Sequence, residues 1–216
     1  MESGMMSFKN LVEIHGKNSA QHLIPLPYEY NALEPIIDEE TMREHHTKHL
    51  KKYVDTYNSL IDGTPASQRS LEEVLGDIRS YESGIRNNGG GIWNHNFFFR
   101  LLTPNKTTPK GNLSLSIGKK WGSMESFIEK FREEGLKRFG SGWVWLVKDN
   151  GGELSIITTQ NQDNPLMFPN NQYIPIIGCD LWEHSYYLKH KSNRSGWIDS
   201  FFECLDWDKA QKNYEG

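Results

Sequence analysis

Tyr173-Ile-Pro-Ile-Ile-Gly-Cys-Asp-Leu-Trp-Glu-His184 decides how this chain folds. The apolar run Tyr173 to Cys179 reads as a short buried strand, and Asp180 stands at its end. A bare carboxylate in that position costs several kcal/mol or shifts its pKa unless it is paired or bound to a cation. Taken alone, Asp180 can be a helix N-cap or a salt-bridge partner, and His184 a hydrogen-bonded core histidine. Their four-residue spacing can equally begin a metal site, and the histidines upstream favour that reading.

Working backwards from this strand, Trp143-Val-Trp-Leu-Val147 and Leu154-Ser-Ile-Ile-Thr158 read as two more, joined by the hairpin signal Asp149-Asn-Gly-Gly152. Leu113 to Lys137 has helical periodicity and is broken by Gly140-Ser-Gly142. After the strands, Trp197, Phe201, Phe202 and Leu205 form the stripe of a closing helix over the sheet. Residues 103–112, rich in Pro, Thr, Lys and Asn, make the best linker.

Before the linker the chain is helical. Leu23-Ile-Pro-Leu-Pro-Tyr28 is extended by its prolines, and Asp38 caps a long helix from about Glu39 to Leu60. Met42, His45, His49 and Tyr53 share one face of it, leaving His46 exposed on another. Ser70-Leu-Glu-Glu73 is a capping box that opens a second helix to about Tyr81. Asn87-Asn-Gly-Gly-Gly91 reads as a turn, followed by a buried third helix with Trp93, His95 and Phe97-Phe-Phe99. The expected fold is α+β: an all-α N-terminal hairpin domain at 22–104, then an α/β domain at 105–216 with a small three-stranded antiparallel sheet. Residues 1–21 are expected to form a poorly ordered tail.

A net charge of -4 and the lack of a basic run argue against nucleic acid as a partner. No stretch is apolar enough to span a bilayer, and residues 1–21 lack a signal-peptide core, which points to the cytoplasm, with an organellar address in that tail left open. Cys179 and Cys204 are the only cysteines, and their spacing suggests reduced, structural thiols.

Three features can therefore supply a metal with nitrogen and oxygen ligands: the first-helix histidines, His95, and the pair Asp180 and His184. Imidazole plus one carboxylate suits Mn, Fe or Zn. His45 and His49 lie one helical turn apart, about 6 Å in rise, so one can ligate while the other stands behind or beside the site, and spacing does not say which.

Read in order, these stretches resemble the manganese/iron superoxide dismutases over nearly the whole chain, from about Leu26 to Trp207. The resemblance is carried by Leu26-Pro-Tyr-Glu-Tyr-Asn-Ala-Leu-Glu-Pro35, His45-His-Thr-Lys-His49 with Tyr53, Asn87-Asn-Gly-Gly-Gly-Ile-Trp-Asn-His95, Phe139-Gly-Ser-Gly-Trp-Val-Trp145, Asn161-Gln-Asp163 and Asp180-Leu-Trp-Glu-His184-Ser-Tyr-Tyr187. It implies that His45, His95, Asp180 and His184 bind one metal ion with a solvent molecule as fifth ligand. His49 and Tyr53 would gate the access of superoxide and protons, and Trp143, Trp145 and Trp182 would wall the cavity. Glu183 resembles the residue that bonds the partner subunit's His184, and Tyr187 the one that reaches the partner's His49, implying a homodimer or a tetramer of such dimers.

Gly91 with Gln162, Phe98 and Gly178 looks like the manganese type, with iron as the alternative. Lys48 and Arg194 match basic positions around the family's entrance, where they would steer the anion, although each can also be an ordinary surface charge. The chain departs from the family pattern at Leu50, where a histidine is usual, at Ser195, where a proline is, and at Phe99, where a tryptophan is. None of these removes a ligand. Two other readings use the same residues: a mononuclear metallohydrolase with an activated water, and a non-catalytic module of the same fold.

Overall fold

In a computed structural model the protein is described from residue 20 to residue 216, so the expected tail lies outside the described residues except for its last two. The second of these is tied to the fold. Gln21 is buried, and its backbone N–H and C=O pair with the Asn58 side chain at 2.8 Å each.

Asp38 caps the first helix, its carboxylate accepting from the Thr41 N–H at 2.8 Å. One continuous rod follows: α1 (Glu39–Glu44), a π-helical turn (His45–Leu50) and α2 (Lys51–Ile61). Where the turn closes, the Lys51 N–H reaches the carbonyl of His46, five residues back. Such wide turns recur at functional sites. The capping box of Ser70 and Glu73 opens α3 (Leu71–Gly76), which gives way to a 3₁₀ turn at Ile78–Ser80.

The turn expected at Asn87–Gly91 is not there, because α4 runs unbroken through Ser83–Leu101. Glycine inside a helix costs about 1 kcal/mol relative to alanine, and here closeness explains it. A Cβ on Gly89 would sit 2.9 Å from the Tyr57 ring, one on Gly91 2.7 Å from the Tyr53 ring, and one on Gly90 2.2 Å from the Gln162 carbonyl oxygen. The three glycines let α4 approach α2 on one side and the Gln162 backbone on the other. His46 is likewise buried rather than exposed. The segment before α1 folds back over it, so that Nδ1 meets the Tyr30 hydroxyl and Nε2 the Ile24 carbonyl, both at 2.9 Å.

The helical stretch at 113–137 is two helices, α5 (Gly111–Trp121) and α6 (Met124–Lys137). Gly122, at φ 87°, ends the first and the Ser123 side chain caps the second. Strands β1 (Gly142–Asp149), β2 (Leu154–Gln160) and β3 (Tyr173–Asp180) form an antiparallel sheet in the order β2-β1-β3. The Asp149 carboxylate holds the hairpin turn, accepting from the N–H groups of Gly151 and Glu153 at 2.8 and 2.9 Å.

A short α7 (Tyr187–His190), α8 (Arg194–Glu203) and α9 (Trp207–Glu215) complete the chain. The stripe expected to cover the sheet faces helices instead: Phe201 stacks on Phe98 of α4, and Phe202 meets Phe127 and Phe131 of α6 edge-on. Leu205 lies beyond the end of α8, bridged to Leu102. It is α9 that lies along β3. The result is α+β as expected, a helical hairpin followed by helices around a three-stranded sheet. No helix of the described residues is long and apolar enough to cross a membrane.

Candidate metal centre

Asp180 ends β3 with its side chain fully buried. One carboxylate oxygen accepts from the Trp182 N–H at 2.8 Å, and the main-chain carbonyl of Asp180 accepts from the Trp197 indole at 2.6 Å. The other oxygen, Oδ2, faces three imidazoles: His184 Nε2 at 3.1 Å, His45 Nε2 at 3.2 Å and His95 Nε2 at 3.6 Å. His45 comes from the π turn, His95 from α4, and His184 from the turn just after β3. The four ligand atoms all lie within 4.8 Å of one another.

The donor chemistry fits a cation. His95 Nδ1 lies 2.6 Å from the Gly91 carbonyl, which can only accept, so Nδ1 carries the proton and Nε2 presents a lone pair to the centre. His45 Nε2 is buried with no hydrogen-bond partner among the described residues despite its closeness to Asp180. Burial, partly opposed by Asp180, brings His45 down to about 4. Burial and the neighbouring His45 hold His95 well below the ordinary histidine range. Burial alone would raise the Asp180 carboxyl, but the three imidazoles outweigh it and keep the group ionised. At neutral pH the centre thus holds two neutral buried imidazoles against an anion, with His184, 11% exposed, completing the set.

Around these four, Trp143 meets His95 edge-on at 5.4 Å and stacks on Trp145, while Trp182 stacks on His184 at 5.6 Å. The His49 ring lies 4.3 Å from that of His184. Gln162 is clamped: its side-chain oxygen accepts from the Trp143 indole and from Asn94, both at 3.1 Å, which turns its amide N–H to donate to the Tyr53 hydroxyl at 3.1 Å. Burial and the Asp180 charge push Tyr53 up to about 12, so it keeps its proton at neutral pH.

Two regions of the chain match families of known proteins. Residues 20–103 match the alpha-hairpin domain of iron/manganese superoxide dismutases, and residues 109–213 match their C-terminal domain. The chain belongs to the iron/manganese superoxide dismutase family. It is a superoxide dismutase, and its group of three histidines and an aspartate suits the family's manganese or iron.

Not every residue singled out in the sequence of this dismutase lies inward. Glu183 and Tyr187 are exposed on the segment that carries His184. Arg194 is a tie rather than a free charge, donating to the carbonyls of Arg138 and Gly140 at 2.7 and 3.0 Å. Lys48 is exposed. Sequence reasoning missed Asn94 and Asn164, which fix the Gln162 amide through a 2.9 Å bond between them. Asn94 stands immediately before His95 in the motif, and that adjacency was the available signal.

Proposed function

We propose that His45, His95, Asp180 and His184 hold one manganese ion per chain, with iron as the alternative, and that the site converts superoxide to dioxygen and hydrogen peroxide. The observation that carries this is the buried Asp180 carboxylate with three imidazole nitrogens turned toward one of its oxygens. An ion held by these four residues would supply one-electron redox chemistry.

The chain's own residues do the rest. Two superoxide anions and two protons give one dioxygen and one peroxide, so protons must be delivered at a fixed place. The Tyr53 hydroxyl accepts from Gln162 and retains a proton to donate. Gln162 cannot turn, because Trp143 and Asn94 hold its oxygen. His49, half-buried beside His184, lies at the edge of the group, where a small anion would enter. Trp143, Trp145 and Trp182 exclude bulk water. With no side chain at Gly91, the amide beside Tyr53 comes from the C-terminal half, as Gln162, and this favours manganese.

A second copy would complete the outer edge. Glu183 would bond the partner subunit's His184 and Tyr187 the partner's His49, both side chains being exposed in the single chain. The proposed dimer and a cytoplasmic location are open to sedimentation and cell fractionation. The central test pairs elemental analysis of the purified protein with a cytochrome c competition assay. The expected result is about one Mn or Fe per chain and activity that vanishes in His95→Ala. Full activity in His95→Ala would sink the ligand assignment.

A further inference from the structure

Where the segment around Pro25 and Pro27, the last turn of α4 and the helix α9 meet, there is a cavity of about 470 Å³. That size falls in the range of small-molecule sites. Three cations line it, Arg100, Lys209 and Lys212, and Pro25, Pro27 and Phe97 supply apolar wall. Among the described residues that line it there is no carboxylate.

Arg100 is the unusual member. The other half-buried arginines among the described residues each hold an acceptor: Arg69 on Asp77, Arg86 on Asp163, Arg132 on Asp199, Arg138 on the Phe139 carbonyl, and Arg194 on two carbonyls. Among the described residues Arg100 has no hydrogen-bond or ion-pair partner, and burial alone lowers its pKa. A cation in the last turn of a helix is favoured by the helix dipole, which accounts for its presence and not for its burial without a partner. A half-buried, unpaired guanidinium is costly unless an anion joins it. Lys209 is 3.3 Å from Asp206, and Lys212 is exposed with no ion pair among the described residues.

We propose that this cavity binds a small organic phosphate. The phosphate would seat against the forked donors of Arg100 and the Lys212 ammonium, a geometry suited to a dianion. The apolar part of the ligand would lie on Pro25, Pro27 and the edge of Phe97. Such a ligand bridges the N-terminal segment, α4 and α9, and so would raise the melting temperature of the holoenzyme as its concentration rises.

The test is calorimetric titration of the metal-loaded enzyme, at low salt, with phenyl phosphate, inorganic phosphate and benzoate. Phenyl phosphate is expected to bind at one site per chain, at least tenfold tighter than either of the others. Arg100→Met should weaken it at least tenfold and Lys212→Met severalfold, with metal content and dismutase activity unchanged. Lys212 is exposed, so its variant tests the site even where Arg100→Met does not fold. Equal affinity for inorganic phosphate would remove the apolar subsite, and equal affinity for benzoate the phosphate subsite; either overturns the proposal. So would binding that survives both substitutions, inhibition of the dismutase by phenyl phosphate that survives Arg100→Met, or binding only to vesicles containing anionic phospholipid.

Discussion

The two sides of the metal centre are built differently. On the inner side, His45, His95 and Asp180 come from a helical rod, a buried helix and a strand end, and all three are essentially inaccessible. On the outer side His184 sits on a short turn, between the rings of His49 and Trp182, with exposed Glu183 and Tyr187 flanking it in sequence. The inner side is held entirely by this chain's own packing, while the outer side is left open. Affinity should therefore reside mainly within, and assembly and access mainly without.

The largest effect expected from this difference is that of Asp180→Ala, which removes the only anion of the group and should lower bound metal and activity by more than about a hundredfold. Elemental analysis checks it, and retention of a full complement of metal would erase the distinction between the two sides. Next comes Gly90→Ala, which drives a Cβ to within 2.2 Å of the Gln162 carbonyl oxygen. Overpacking of that kind costs about 2–3 kcal/mol, or roughly 5–10 °C in melting temperature. Gly118→Ala, with open space around its Cβ in α5, should instead be neutral or stabilising by up to about 1 kcal/mol.

On the outer side, Glu183→Ala should weaken self-association and metal retention by about tenfold, seen as a shift toward the monomer in sedimentation. An unchanged mass and metal content would mean that the open edge needs no second copy.

The inner histidines also set a pH dependence. His45 lies near 4 in the folded, metal-free protein and near 6.5 when unfolded. Its contribution to stability is full above about pH 6.5 and is lost as the pH falls toward 4, because the unfolded chain takes up the proton first. Denaturant titrations of the apo enzyme across this window should show a falling midpoint, and a flat profile would contradict the burial of His45. The smallest effect is that of Lys48→Ala. It should slow turnover about twofold at low ionic strength and hardly at all at high salt, since a steering charge is screened.

Much of this was readable beforehand where cause and effect lie close in the chain. The Asp38 cap and the Ser70 capping box depend on residues three apart, and the hairpin turn on Asp149 and its neighbours. Residue type and helical spacing marked three stretches that could supply a metal, whereas the choice between His45 and His49 came only from the family resemblance. What escaped depends on distant partners. Gly89, Gly90 and Gly91 carry turn chemistry in isolation, and only the arrival of Tyr57, Gln162 and Tyr53 makes them the contact surface of a helix. His46 looked solvated because Tyr30 and Ile24 lie 16 and 22 residues away. The arginine cavity had no motif at all, since its walls come from three stretches far apart in the sequence, around Pro25, Arg100 and Lys212.

The wide turn at His45–Leu50 gives the first helix one link more than its length requires. Taking out a single residue there, such as Thr47, would let the rod relax to ordinary winding and leave Tyr53 facing nearly the same way relative to His45, because the wide turn already rotates about 100° less than an α-helical segment of its length. The caps at either end and the outer surface of the rod beyond the turn would stay as they are. One loosely wound turn thus absorbs an extra residue while the proposed ion holder and its proton donor keep to the same side of the rod.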